Sequence, residues 1–522
     1  MKKINFFINY KYNLIVLLVL IFFSALSLYI YQFIYDGHHH GLMFSNAIDL
    51  LNAKKPYEEI FIQYGFLTTI IHSIGLFFLG KELYTLHIIT IIFYFLSVYF
   101  IYLIIKELIN SKIAIISILI LLFNHPVPWL PWSNYISYFF IILSIFSFIK
   151  KTNYNYLLTG LFLGMAVLSR QDYFVPIFIT LLLFSLIYLI SSISINRYSN
   201  IIKIIFAFIA PISLFILYLY LNNLFIPWIQ YLILPNLYLD LNNTSIIGYI
   251  KNFVTFFLSV AFTNFINKPQ YLLIAIILIT NSIFLIKFIR FKQYNLIFIS
   301  LLSLSSSAVG ISTELFRLYT SVSIGIIVLM CTITTIKSED LRKFAFFFLL
   351  STSIFSITFY PWGNNQQFKK INITKSNVSP KSILFTHNKW TPHKVRVLNE
   401  ISYLKELILD NCSIQYAENL TFDNYFANSI NLNRVRLLPY VKSNAKNQSI
   451  DTLFNKNFVQ RINELISKEN IIILIAEDNY SYDSGSIIFS KEYTYKKIKL
   501  NDINQKPNIL KFYYPTKCYS KF

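Results

Sequence analysis

Carboxylate, arginine and histidine side chains gather at four places in this sequence, each at the end of a long apolar stretch. The candidate site residues are Asp36, His38, His39, His40, Glu58, Tyr64, Arg170, Asp172, Glu314 and Arg317. A carboxylate can take a proton from a hydroxyl group, and an arginine fork binds phosphate through two charge-assisted hydrogen bonds. The combination predicts group transfer from a phosphate-bearing donor, because fixed cations stabilise the charge that a departing phosphate gains.

The first of these places also allows simpler explanations. Asp36 could be a solvated residue at the boundary of an apolar stretch, and Glu58 and Glu59 could be surface charges. The three consecutive histidines could bind Zn, Mn or Fe, contact a donor phosphate or an acceptor, or belong to a solvated loop. Because adjacent side chains rarely point at one ion, no metal ligand is assigned.

The other places have structural alternatives as well. Arg170 and Asp172 could form an ion pair that closes a helix hinge, and Glu314 and Arg317 could pair along a helix. The loop from Asn124 to Trp132, with Trp129 and three prolines, could be an interfacial anchor or a wall of the substrate site. His72 and His87 lie on apolar faces and are predicted to be packed histidines.

Composition identifies the elements that must position these residues. Hydrophobic residues make up 56% of the 522, and charged residues only 13%. Soluble proteins have about 25% charged residues, so the chain is predicted to be a polytopic α-helical membrane protein with about 11 spans (range 11–13). The predicted spans are Leu14–Phe33, Leu86–Ile105, Leu108–Phe123, Tyr135–Ile149, Tyr156–Leu168, Phe174–Ile190, Ile204–Leu221, Tyr271–Ile286, Leu296–Val309, Leu318–Ile336 and Phe344–Tyr360. Two further apolar stretches, 66–79 and 246–262, could cross or lie at the interface.

Loop charges orient these spans. With eleven spans, the inner loops carry 15 Lys and Arg residues and the outer loops 7, as the positive-inside rule requires. The N-terminus is then cytoplasmic, and the first span is predicted to be an uncleaved anchor, since its apolar core is too long for a signal peptide. All the candidate site residues fall on the outer side, in the first outer loop (34–85) or at outer span ends, at the depth of the lipid headgroups.

From residue 361 onward the apolar runs end. Residues 361–522 are predicted to form an extracytoplasmic α/β domain, with a strand at Ile471–Ala476 preceded by a helix at Val459–Ser467. Cys412 and Cys518 could pair in an oxidising compartment or remain unpaired. The first domain comprises residues 1–360.

The first outer loop resembles the GT-C superfamily of membrane glycosyltransferases, in particular the branch of protein O-mannosyltransferases and lipid A aminoarabinose transferases. The matching stretch runs from Asp36-Gly-His-His-His-Gly41 to Tyr57-Glu-Glu-Ile-Phe-Ile-Gln-Tyr-Gly65. Three further segments are similar to parts of the family. An inner loop of the family resembles Lys106 to Lys112, and its Arg-containing hinge resembles Leu168-Ser-Arg-Gln-Asp-Tyr173. Its Arg-Tyr segment resembles Phe316-Arg-Leu-Tyr319. One departure is Gly37, where the family often has an acidic residue.

The resemblance implies an inverting glycosyltransferase that uses a polyprenyl-phosphate sugar on the outer face, with Asp36 as base and Arg317 as phosphate ligand. We therefore expect an inner-membrane hexosyl- or pentosyltransferase with a cell-envelope glycan, lipid or protein as acceptor, and no nucleic-acid partner. No cofactor is assigned, although Mg²⁺ or Mn²⁺ could accompany the phosphate. The alternatives are a glycan polymerase or ligase using a lipid-diphosphate glycan, and a non-enzymatic flippase or transporter of lipid-linked sugars.

Overall fold

The computed structural model describes residues 2–31, 42–57, 60, 62, 64–81, 83–128, 130–150, 154–190, 195–229, 270–310 and 315–358, together with five strand segments between 413 and 515. For the strand segments and for some helix-end stretches, including 2–10 and 315–318, the backbone alone is described. Helices dominate this part of the chain.

The helices follow one another with short connections. In chain order they are α1 Lys2–Tyr31, α2 Leu42–Leu51, α3 Phe66–Leu79, α4 Leu83–Leu108, α5 Ser111–Asn124, α6 Ser133–Ile149, α7 Asn155–Ser169, α8 Phe174–Ile190, α9 Ile195–Leu221, α10 Phe225–Trp228, α11 Gln270–Arg290, α12 Tyr294–Ser306, α13 Leu315–Val322, α14 Ile326–Thr334 and α15 Glu339–Thr358. Short 3₁₀ turns at Gln171–Tyr173 and Ser323–Gly325 join α7 to α8 and α13 to α14.

Helices occur at all eleven predicted spans. Within the described residues, five are long and apolar enough to cross a membrane, at Lys11–Tyr31, Tyr84–Leu108, Gln171–Ile190, Arg197–Leu221 and Tyr271–Arg290. The remaining predicted spans correspond to shorter apolar helices of 10–17 residues or to α15. The ambiguous stretch 66–79 is helix α3, whereas 246–262 lies outside the described residues. The number of crossings stays a prediction.

Large apolar side chains on the outward faces indicate that lipid surrounds the helices. Leu18, Phe22, Phe178 and Phe206 are all more than half exposed. A soluble protein rarely exposes so continuous an apolar surface. The interior between the helices is close-packed and rich in tyrosine and phenylalanine, so the helical part is built to be embedded in a membrane.

The two ends of the helical bundle differ in chemistry. At one end, Asn13 Oδ1 accepts hydrogen bonds from the Tyr102 hydroxyl at 2.9 Å and from Lys106 Nζ at 3.1 Å. Lys150 Nζ lies 2.9 Å from Glu107 Oε2 at the same end. Lys106 and Lys150 are among the basic residues that the loop-charge count assigns to the cytoplasmic side. The predicted site residues that the structure describes lie at the opposite end. Which end faces the cytoplasm stays a prediction.

The strand segments form a mixed sheet. They are β1 Ser413–Tyr416, β2 Asn433–Arg434, β3 Ile471–Ala476, β4 Tyr493–Asn501 and β5 Pro507–Pro515, in the order β2-β1-β3-β5-β4. β1 pairs in parallel with β2 and β3, while β5 pairs antiparallel with β3 and β4. Strand β3 covers the six residues predicted for it. The predicted helix 459–467, Cys412 and Cys518 lie outside the described residues, and the extent of this domain stays a prediction.

Candidate functional site

The segment from Tyr57 to Phe66 crosses the site end of the bundle. It starts with a tight turn, in which the Tyr57 N–H donates to the Ile60 carbonyl at 3.0 Å and Tyr57 has a φ of 63°. Tyr57, Ile60 and Phe66 then belong to one apolar cluster with Leu219, near the end of α9, and Leu224, just after it. This contact anchors the first loop to the bundle on both sides of Tyr64.

Gly65 lets the first loop approach the end of α7 very closely. A Cβ at this position would lie 2.1 Å from the Leu168 carbonyl oxygen and 2.3 Å from the Ser169 carbonyl carbon. Thr68, in the first turn of α3, donates a hydrogen bond of 2.8 Å to the Ser169 carbonyl. The absence of a side chain at Gly65 therefore brings Tyr64 against the residue that follows α7, which is Arg170.

Arg170 is the centre of the site that the structure describes. Its side chain is only 3% exposed, and its Nη2 lies 2.6 Å from Asp172 Oδ2. Its Nη1 donates to Asn134 Oδ1 and, at 3.5 Å, to Ser133 Oγ in the first turn of α6. The guanidinium carbon lies 5.3 Å from the centre of the Tyr64 ring, a cation–π distance.

The charge of Arg170 is stabilised although the group is buried. Burial alone would lower the pKa of the guanidinium, but Asp172 and Tyr64 raise it above its usual value. As the C-cap of α7, Arg170 also lies at the negative end of a helix dipole. Its Nε has no hydrogen-bond acceptor among the described residues. The guanidinium is therefore a fixed cation.

Three hydrogen bonds join this centre to the late helix α13 and the turn after it. Asn134 Nδ2 lies 3.5 Å from Thr320 Oγ1, and the Tyr173 hydroxyl lies 3.2 Å from Ser321 Oγ. The Tyr138 hydroxyl lies 2.9 Å from Ser323 Oγ.

Arg317 stands on the same helix as Thr320, three residues earlier, and residues at this spacing share a helix face. The backbone of Arg317 thus lies about one helical turn from the Arg170 network.

The C-terminal end of α1 is fixed at the same end of the bundle. The Tyr31 hydroxyl donates to the Pro128 carbonyl in the loop before α6. His125, at the start of that loop, bonds to the Tyr135 hydroxyl at 2.9 Å, and burial lowers the pKa of His125 to about 3, so the ring is neutral. Asp36, five residues after Tyr31 in the sequence, lies outside the described residues.

Of the predicted site residues, the structure brings Tyr64, Arg170 and Asp172 together. It places the backbone of Arg317 beside them without describing its side chain. The predicted residues outside the described part are Asp36, His38, His39, His40, Glu58 and Glu314. The ion-pair alternative for Arg170 and Asp172 is confirmed as a contact; whether the pair also serves a substrate is a separate question. A Glu314–Arg317 pair stays a prediction.

Other sequence interpretations can be compared with the structure. Trp132 is 3% exposed, so it packs inside the protein and is not an interfacial anchor. His72 and His87 are buried in helices, as predicted. Within the described residues, no group of three or more His, Cys, Asp or Glu side chains is arranged to hold a metal ion.

Sequence reasoning missed Asn134, Tyr173 and Thr320. The signal available was weak: Asn134 follows the proline- and tryptophan-rich loop directly, and Tyr173 belongs to the same short hinge as Arg170.

No protein-family model and no curated protein matches this sequence, but solved structures match its fold. ArnT from Cupriavidus metallidurans in the apo state aligns with a TM-score of 0.55 at 8% identity, over 94% of this chain and 97% of ArnT. The same protein bound to undecaprenyl phosphate aligns with a TM-score of 0.51 at 9% identity and the same coverage. The archaeal oligosaccharyltransferase AglB from Archaeoglobus fulgidus, in complex with an inhibitory peptide and a dolichol-phosphate, gives 0.45 at 10% identity, over 88% of this chain and 69% of AglB.

The two alignments with ArnT confirm the expected resemblance at the level of the fold. It extends over nearly the whole chain, although the motifs that suggested it are short.

Proposed function

We propose that this chain is an inverting glycosyltransferase that moves a sugar from a polyprenyl-phosphate donor to an extracytoplasmic glycan, lipid or protein. The observation that carries the proposal is the buried Arg170 beside Tyr64 and helix α13, at one end of a bundle with the fold of ArnT. A structure of ArnT was solved with undecaprenyl phosphate bound. That ligand supports a lipid phosphate as the donor headgroup here.

Arg170 and Arg317 would hold the donor phosphate. Because Arg170 is fixed by α6 and by the end of α7, its charge is already in place before the donor arrives. Such preorganised cations stabilise the charge that develops on the leaving phosphate. A low-dielectric, lipid-bounded site strengthens this effect, since screening by water is weak there.

Asp36 would be the general base that takes the proton from the acceptor hydroxyl. The acceptor oxygen then attacks the anomeric carbon on the face opposite the phosphate. This attack inverts the anomeric carbon and releases the polyprenyl phosphate. Tyr64, whose ring covers Arg170, would line the donor site. We assign the predicted residues His38, His39, His40, Glu58 and Glu314 to substrate contacts around these groups, and Asp172 to the donor site as the ion-pair partner of Arg170.

The same proposal includes the membrane arrangement. Residues 1–360 would form the multi-span domain, with loop 34–85 on the outer side, and residues 361–522 an extracytoplasmic α/β domain that helps to select the acceptor. The excess of basic residues at the bundle end opposite Arg170 supports a cytoplasmic N-terminus and a position in the inner membrane. No cofactor is assigned; a chelator that abolished transfer would indicate Mg²⁺ or Mn²⁺ at the phosphate.

The test is transfer of a labelled sugar from a polyprenyl phosphate in membranes that contain the wild-type chain or Asp36→Asn. We expect the variant to lose activity by two orders of magnitude or more, as is typical for a general base. Asp340→Asn is the matched control, because Asp340 is an exposed carboxylate at the start of α15. Undiminished transfer by Asp36→Asn would overturn the base assignment.

The alternatives predict other donors or no reaction. A polymerase or ligase would prefer an oligosaccharide diphosphate in the same assay, and a flippase would move the lipid without cleaving it. The 3₁₀ turn at Ser323–Gly325 interrupts a late helix, as is common in transporters. However, the flanking Val322 and Ile326 keep right-handed helical dihedrals, so this helix is not unwound and the transferase remains favoured.

A further inference from the structure

We propose that Asp172 is an exchangeable counter-ion, which occupies Arg170 while the donor site is empty and gives way to the donor phosphate. The inference rests on the proposed function, because it concerns the same phosphate. It adds a role for Asp172 in donor entry and product release that an ordinary structural ion pair does not have.

The two partners of this pair are held very differently. The Arg170 side chain is 3% exposed and the Asp172 side chain 43%. Arg170 is bonded to Asn134 and Ser133 and covered by Tyr64, so its position is fixed from the protein side. Asp172 therefore lies between the cation and solvent, and an anion that enters from the open side meets it first.

The backbone of Asp172 is held while its side chain is not. It is the middle residue of the 3₁₀ turn Gln171–Tyr173, and the adjacent Tyr173 is fully buried and bonded to Ser321. Rotation of the Asp172 carboxylate about its side-chain bonds would break the contact with Arg170 without disturbing the turn. The carboxylate can leave and return on the time scale of side-chain motion.

A buried guanidinium needs a counter-ion in every state. Leaving a buried charge unpaired is strongly destabilising, so Asp172 stabilises the empty site. The donor is a phosphodiester with one negative charge, whereas the released polyprenyl monophosphate carries about 1.5–2. The product therefore competes with the Asp172 carboxylate for Arg170 more strongly than the donor does. The returning carboxylate helps to displace the product.

The exchange predicts that removing the Asp172 charge strengthens phosphate binding. Undecaprenyl monophosphate binding is measured directly, by thermal shift and by titration in detergent, so no turnover is needed. We expect Asp172→Asn to lower the Kd about tenfold. Inorganic phosphate, used in place of the lipid, should bind more weakly. Asp172→Asn should lower its Kd by a similar factor, because the exchange occurs at the phosphate group.

Two further variants separate exchange from other effects. In an Arg170→Gln background, Asp172→Asn should no longer change the Kd; a persisting gain would indicate a through-space field effect and overturn the exchange. Glu107→Gln is the control at the opposite bundle end, where Glu107 is half-exposed and paired with Lys150 at 2.9 Å, and it should leave the Kd unchanged.

The outcomes also separate this inference from the proposed function. If Asp172→Asn leaves the Kd unchanged or raises it, while Asp36→Asn abolishes transfer, the exchange is wrong and the glycosyltransferase stands. If the wild type binds undecaprenyl phosphate with the predicted response to Asp172→Asn but transfers no sugar, the exchange stands and the proposed function fails.

Discussion

Replacing Gly65 with alanine tests whether the first loop must touch the end of α7 for activity. The added Cβ would lie 2.1 Å from the Leu168 carbonyl oxygen, and an ordinary contact needs about 3.4 Å, so the loop must retreat by about 1.3 Å. The nearest atoms are backbone atoms, which cannot rotate away. The glycine is needed here for its size, because its φ of −63° suits any residue.

The expected cost has two parts. Overpacking of this kind typically destabilises a protein by about 1–3 kcal/mol. A displacement of about 1 Å within a reacting constellation can lower the rate about 100-fold. We therefore expect Gly65→Ala to remain folded in detergent, with a melting temperature a few degrees lower, while transfer in membranes falls by about two orders of magnitude.

Gly160 provides the matched control for this prediction. Gly160 lies within α7, nine residues before Ser169. A Cβ on Gly160 would lie 2.1 Å from the Ile204 carbonyl oxygen, an overlap equal to that at Gly65. Gly160→Ala should lose similar stability and keep most of its activity. Equal activity losses in the two variants would refute the reasoning, as would wild-type transfer by Gly65→Ala.

Three smaller perturbations test other contacts. Tyr31→Phe removes the hydrogen bond that fixes the end of α1 before Asp36, so transfer should fall while stability drops by about 1 kcal/mol; an unchanged rate would show that this anchor is unimportant. Tyr173→Phe removes the hydroxyl that bonds to Ser321 Oγ and should raise the donor KM several-fold, whereas Tyr102→Phe, which removes a hydrogen bond to Asn13 at the opposite end of the bundle, should not; similar effects of the two would point to packing alone. Burial lowers the pKa of His125 to about 3, so between pH 6.5 and 3 the unfolded chain binds more protons than the folded chain. The free energy of unfolding therefore falls as the pH drops through that window, by about 1.4 kcal/mol at pH 5.5. The melting temperature of His125→Gln should vary less with pH over that range, and parallel profiles would contradict this.

Much of the helical architecture could be predicted, because lipid selects long apolar segments regardless of their partners. Apolar composition does not give the helix ends where tertiary contacts extend a helix beyond the predicted span. α9 begins at Ile195, nine residues before the predicted Ile204, because Arg197 lies between the rings of Tyr188 and Tyr294 at 4.9 and 5.0 Å. The single late span predicted from Leu318 to Ile336 proved to be α13 and α14 joined by a 3₁₀ turn. Apolar composition alone does not reveal that turn.

The candidate site was predictable to the extent that charge is costly at membrane depth. Arg170, Asp172 and Tyr64 stood out in an apolar chain, and the structure places them in contact. Asn134 did not stand out, because it bonds to Arg170 across 36 residues of sequence and asparagine is common throughout this chain. The roles of Asp36 and Arg317 stay predictions, since they depend on side chains that the structure does not describe.

The hydrogen bond between Asn134 and Thr320 joins residues 186 positions apart, and this separation has a consequence for biosynthesis. Ribosomes add about 5–20 residues per second, so roughly 7–30 s pass between synthesis of Arg170 and of Arg317. During that interval the nascent chain contains the first loop and the α6–α8 hinge but not α13. Arg317, the second phosphate ligand of the proposed mechanism, is therefore the last of the predicted site residues to be made. If the proposed function holds, we expect no donor cleavage until α13 docks, so a half-inserted chain would not consume the lipid-linked sugar.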